Sequence, residues 1–108
     1  MFGLVVRFNL KAGTGRQFDA LTRDVVAVIR EAEPGTLIYA CHAVEGDADA
    51  RIFYEVYRDR AAFEDHEGAE HVTRFHQEKA QYLAGDPRVE FLSLHVSKGV
   101  PEPQAQRS

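Results

Sequence analysis

Four short stretches of the chain are rich in strand-forming residues, and two others repeat apolar residues every third or fourth position. Phe2 to Asn9 is the first of the four, with Leu4, Val6 and Phe8 on one side and Val5 on the other, which is the two-residue period of a strand. Lys11-Ala12-Gly13-Thr14-Gly15 is turn chemistry, and Thr14 is placed to cap a helix that starts after it. From Arg16 to Ala32 the apolar residues Phe18, Leu21, Val25, Val28 and Ile29 predict an amphipathic helix that leaves Arg16, Asp19, Arg23, Asp24 and Arg30 to water. Glu33-Pro34-Gly35 stops it, because proline disfavours a helical residue before it and glycine permits the turn. Thr36 to Val44 is a second strand, Glu45 to Asp49 a polar hairpin loop, and Arg51 to Tyr57 a third strand on which Ile52, Tyr54 and Val56 oppose Phe53, Glu55 and Tyr57. Asp59 can cap a second helical region that starts at Arg60, breaks or bends at Gly68, and resumes with Val72, Phe75, His76, Ala80 and Leu83 along one side. Gly85-Asp86-Pro87 ends it, and Val89 to Val96 is the last strand.

The order β-α-β-β-α-β predicts an α+β fold of ferredoxin-like type, in which right-handed crossovers put two helices on one face of an antiparallel sheet. Residues 1–97 form this one domain, and 98–108, with Pro101 and Pro103 and no apolar period, read as a mobile tail. The strands carry apolar side chains on both faces: Phe53 and Tyr57 against Ile52, Tyr54 and Val56, and Val89 and Phe91 against Leu92, Leu94 and Val96. Two helices cover only one of those faces, so a homodimer through the other is expected.

Composition narrows the function classes. A chain of 108 residues with 44% hydrophobic and 28% charged residues is ordinary for one globular domain. The 13 Lys and Arg against 17 Asp and Glu give a net charge of −4, and no basic run tracks phosphates, which argues against nucleic-acid binding. No apolar stretch approaches the roughly 20 residues of a membrane span, and the amino-terminal segment reads as a strand rather than a signal peptide, so a cytoplasmic protein is expected. Cys41 is the one cysteine, which excludes an internal disulfide and a Cys-rich zinc site and leaves it an inert packing residue.

Histidine is the residue type that invites chemistry, with five in the chain. His66, His71 and His76 are spaced by five, which turns each about 140° from the last on a continuous helix and does not suit a shared metal, so no metal is expected. His71 reads as an exposed or capping residue, and His42 and His95 as partly exposed strand residues. His66 follows Phe63 by three and precedes Gly68. It is placed either to take a proton near neutral pH or to bond a backbone carbonyl at a helix end. His76 falls within roughly 80° of the same side in an unbroken helix and is a secondary candidate. Phe53 and Tyr57 share a strand face with Glu55, so they can line an apolar slot with one carboxylate. Glu55 is then either the base of that slot or a partner for an arginine such as Arg7. Gly13-x-Gly15 is too little for a phosphate loop, and no flavin, haem-attachment or nicotinamide motif occurs, so no cofactor is expected.

Glu33-Pro34-Gly35-Thr36-Leu37-x-Tyr39, with Phe53-Tyr54-Glu55-Val56-Tyr57-Arg58-Asp59-x-x-Ala62-Phe63-x-x-His66 and His71-x-x-x-Phe75, resembles the antibiotic biosynthesis monooxygenase family, nearest its quinol-oxidising branch. The resemblance spans about residues 2 to 97 and implies a dimeric α/β barrel, two sheets face to face, with a pocket between sheet and helices in each subunit. It implies oxidation of a small aromatic or quinol-like compound by molecular oxygen without a cofactor. His66 matches the histidine of that branch. The asparagine, tryptophan and tyrosine of the anthrone-oxidising branch correspond to Phe53, Tyr57 and Phe63, which become pocket walls. The asparagine and tryptophan of the haem-degrading branch correspond to Val6 and His66, with His76 near its histidine. Two other functions suit the same fold: an isomerase or cyclase-like enzyme of aromatic polyketides, and a non-catalytic small-molecule-binding dimer.

Overall fold

The structure is a computed structural model and describes residues 1–100. Most of the tail expected over 98–108 lies outside the described residues. Strand β1 (Phe2–Asn9) is central because its two edges are both paired, to β3 (Asp47–Tyr57) on one side and β4 (Arg88–Leu92) on the other. Strand β2 (Thr36–Val44) pairs the far edge of β3, giving an antiparallel sheet in the order β2-β3-β1-β4. With α1 (Gly15–Ala32), α2 (Arg60–Gly68) and α3 (Glu70–Lys79), this is the expected ferredoxin-like α+β arrangement.

Register decides the faces. Leu4 stands opposite Glu55 and Phe91, and Val6 opposite Phe53 and Val89, so these residues share the inner face beneath the helices. Leu4, Val6 and Phe8 are buried there with Phe53 and Tyr57, against Phe18, Val25 and Ile29 of α1 and Phe75 of α3. Gly3, Val5, Tyr54, Val56 and Leu92 fall on the outer face by the same register.

The differences from the sequence reading are local. Thr14 takes the N-cap position of α1, but its side chain makes no capping bond; its hydroxyl donates to the Lys11 carbonyl, 2.7 Å. Asp19 is not left to water, since Arg51 donates to both of its carboxylate oxygens at 2.8 and 3.0 Å and ties β3 to α1. The β2–β3 reversal takes only Glu45 and Gly46, because Val44 already pairs with Asp47 and Gly46 has φ of 81°, where a side chain would be strained. Strand β4 ends at Leu92 rather than Val96, because Leu92 pairs with Gly3 and β1 starts one residue earlier. The second helical region is two helices, interrupted not at Gly68 but at Ala69, whose backbone is extended (φ −73°, ψ 142°). Asp59 caps α2 as expected, accepting from the Ala62 amide at 2.8 Å. No helix among the described residues is long and apolar enough to cross a membrane.

Candidate active site

Between the inner sheet face and α2–α3 lies a cavity of about 410 Å³, within the range of small-molecule sites. Its floor is Leu4, Val6 and Phe8 of β1 with Val89 and Phe91 of β4, and Tyr39, Phe63 and Leu83 add apolar wall. Five groups able to carry charge reach it: Glu55, His66, Glu67, His76 and Lys79.

His66 comes from the last turn of α2 and is 2% exposed. Its Nδ1 lies 2.7 Å from Oε1 of Glu33, the residue just after α1. An ionised carboxylate only accepts, so Nδ1 carries the proton and Nε2 keeps its lone pair. Nε2 has no partner among the described residues, and no buried side-chain polar atom there lacks one, so Nε2 meets open space. Tyr39 and Tyr57 flank the imidazole, with ring centres 5.4 and 5.2 Å away. Burial lowers the pKa of His66, outweighing the opposite pull of Glu33, so the ring is neutral at pH 7.

Glu33 also accepts from the Thr36 hydroxyl at 2.6 Å and bonds His71 Nε2 through its second oxygen. Burial pushes its carboxyl up, but the bonds from Thr36, His66 and His71 outweigh it and hold the pKa below the ordinary value. The interruption at Ala69 allows this. In a continuous helix a spacing of five turns two side chains about 140° apart, whereas here His66 and His71 converge on one carboxylate. His71 is therefore an inward partner rather than an exposed residue.

A second group centres on Glu55 and Lys79. Glu55 is 5% exposed and accepts from the Tyr57 hydroxyl at 2.6 Å. Burial raises its pKa to about 7, against the lowering by Tyr57. Burial and the adjacent Glu55 push the Tyr57 hydroxyl far above its ordinary value. Lys79, 6% exposed, places Nζ 2.7 Å from His76 Nδ1, and His76 Nε2 lies 3.3 Å from Glu67. Burial lowers the Lys79 pKa to about 8, with Glu55 and Glu67 opposing. Glu55 is not paired with Arg7, which is on the other face and bonds Asp47 at 3.0 Å.

Of the residues singled out from sequence, His66, His76 and Phe63 line the cavity together. Phe53 and Tyr57 do not. Phe53 is 1% exposed and packed against Phe8 and Phe75, while Tyr57 is fully buried and reaches the cavity only through its bond to Glu55. Sequence reasoning misses Glu33 and Lys79. Glu33 is legible as part of a helix stop and of the Glu33-Pro34-Gly35-Thr36 motif, neither of which assigns it a role; Lys79 takes the position that the spacing Val72, Phe75, Lys79 assigns to the core, and a lysine there is the available signal. Among the described residues no cluster of three or more His, Cys, Asp or Glu side chains is disposed to hold a metal.

No curated protein matches the chain. Solved structures do. A provisionally named antibiotic biosynthesis monooxygenase of Caulobacter crescentus superposes with a TM-score of 0.84 at 21% identity, over 88% of this chain and 90% of that one. PA3566 of Pseudomonas aeruginosa gives 0.79 at 27% identity over 88% and 94%, and Rv0793 of Mycobacterium tuberculosis 0.80 at 21% over 92% and 98%. These are likenesses of fold. The family model described as antibiotic biosynthesis monooxygenase matches residues 1–78, most of the chain, and the chain belongs to that family.

Proposed function

We propose that this protein is a homodimeric monooxygenase that oxidises a small aromatic, quinol-like compound with molecular oxygen in the inner cavity, without a cofactor. The observation that carries the reading is the Glu33–His66 pair, in which Nδ1 is anchored, Nε2 has no hydrogen-bond partner among the described residues, and the side chain lines the apolar cavity. Glu33 fixes the tautomer and the ring angle, so that a neutral base faces the substrate. Nε2 of His66 takes the acidic proton of an electron-rich phenol or of its activated methylene. The resulting anion gives one electron to oxygen, and the carbon radical and superoxide combine into a C–O bond. Loss of water from that peroxide turns the methylene into a carbonyl. One oxygen atom stays in the product and the other leaves as water; the substrate supplies all four electrons. Phe63 and the apolar floor seat the ring, and His76 is a secondary proton carrier at the edge.

An oxygen electrode tests this with a panel of anthrones and quinols. Uptake is expected for at least one, falling about 100-fold or more in His66→Ala. Because the His66 pKa is lowered, the active neutral form persists at pH 7, and kcat/KM declines only as pH drops below about 6.5. Product formation that continues without oxygen would make the protein an isomerase or cyclase. Thermal stabilisation by the panel with no turnover would make it a binding protein.

A further inference from the structure

We propose that Lys79 is the anion-binding group of the cavity, whose ammonium receives the ionised oxygen of a phenol or quinol ligand, with Glu55, which lines the same cavity, as a second hydrogen-bond donor. The proposal rests on the reading of the cavity as a substrate site and adds to it a group that His66 does not supply. Lys79 occupies a core position of α3, at a spacing where an apolar side chain would pack without penalty. Burying an unpaired ammonium costs several kcal/mol by general experience, so the position needs a compensating partner. The protein supplies only part of one. The Phe8 and Phe75 rings lie 4.6 and 4.7 Å from Nζ, and cation–π attraction there offsets part of that cost. Among the described residues the one hydrogen-bond partner of Nζ is Nδ1 of His76, and no carboxylate is within ion-pair distance. An ammonium has three donors, which leaves two without an acceptor in the protein at a position that lines the cavity.

The neighbouring acids decide whether an anion is tolerated. Facing the cavity are Glu55 of β3 with Tyr57 behind it, Tyr39 of β2, His66 and Glu67 of α2, and His76 of α3. Glu67 already serves His76 and is partly exposed, where solvent screens it. Glu55 is buried, and its carboxyl holds a proton up to about pH 7, so a second negative charge beside it is met by protonation rather than repulsion. Tyr57 occupies one Glu55 oxygen, and the other is free to donate once protonated. The ligand's phenolate would thus accept from Lys79 and from Glu55, while His66 acts on a different atom.

The probe is 4-nitrophenol, whose phenolate is yellow and whose phenol is nearly colourless. Titrated against the full chain, the bound dye is expected to ionise about one unit below the free dye, which is a tenfold preference for the phenolate. Lys79→Met should abolish that shift. On the unaltered protein, 4-nitroanisole, which cannot ionise, should bind at least tenfold more weakly than 4-nitrophenol; this holds the proposal to account even if Lys79→Met fails to fold. Equal affinities of the two dyes, an unshifted bound dye, no binding of 4-nitrophenol at all, or a shift that survives Lys79→Met would each overturn it. A shift lost in His66→Ala but kept in Lys79→Met would assign the phenolate to His66 and also overturn it. Oxygen uptake that depends on His66 without any dye shift would sink this inference alone. A dye shift without uptake by any quinol would sink the oxygenase reading alone.

Discussion

Glu55 and Tyr57 share a buried hydrogen bond of 2.6 Å on the inner face of β3, and that geometry makes stability depend on pH. Burial raises the Glu55 pKa to about 7, above the value near 4.5 of an unfolded chain. A raised carboxylate pKa means the folded state binds its proton more tightly, so the stabilisation is complete below pH 4.5 and is lost as pH rises through about 7. In Glu55→Gln the amide oxygen still accepts from Tyr57 and nothing ionises. Urea denaturation should therefore find the variant and the parent within experimental error at pH 4, with the variant more stable by about 3 kcal/mol at pH 8. An identical difference at both pH values would show that Glu55 ionises as an ordinary surface acid. At this scale the sequence is informative about residues that stand out by type. His66 can be found because histidine is rare and titrates near neutrality. Glu33 cannot, because its role depends on Thr36, His66 and His71, up to 38 positions away, converging on one carboxylate.

At the scale of elements, the interruption between α2 and α3 sets the site, because it lets two histidines reach Glu33. The sequence points to the right place through Gly68, but glycine's freedom is not what the structure uses. Gly68 is the last residue of α2, has no positive φ, and a side-chain carbon there would meet nothing within 4 Å. Gly35 is the reverse case, since an added Cβ would come within 2.7 Å of the Ala62 Cβ where α2 crosses the start of β2. Gly68→Ala is accordingly expected to stabilise the fold by about 0.5–1 kcal/mol, and Gly35→Ala to destabilise it by about 1–3 kcal/mol, both read by chemical denaturation. A loss of stability in Gly68→Ala beyond about 1 kcal/mol would mean that the break needs glycine after all. Strand and helix periods in β1 and α1 are readable because each has one buried face. The end of β4 is not, because Leu94 and Val96 continue the apolar pattern past the point where β1 has residues left to pair.

At the scale of the whole molecule, assembly turns on the outer sheet face. Register puts Val56 between Ile38 and Gly3, and Gly3 beside Leu92, while Tyr54 lies between Ala40 and Val5. Leu92 and Leu94, which lie with Gly3, Tyr54 and Val56 on this side, are 41% and 43% exposed. The helices are committed to the inner face and do not cover this one. A second copy meeting it sheet to sheet matches apolar rows to apolar rows, and a stable contact of that kind buries about 800 Å² per partner. Sedimentation equilibrium at micromolar concentration should then return twice the chain mass. Tyr54→Lys would place an ammonium from each copy into the middle of the contact, at a cost of several kcal/mol, and raise the dimer dissociation constant by about 100-fold or more. The inner face, with His66 and Lys79, lies on the opposite side of the sheet from Tyr54, so the variant should keep its far-ultraviolet circular dichroism and fold as a monomer. A parent protein that sediments as a monomer, or a Tyr54→Lys variant that stays dimeric, would show that the outer face is not where two copies meet.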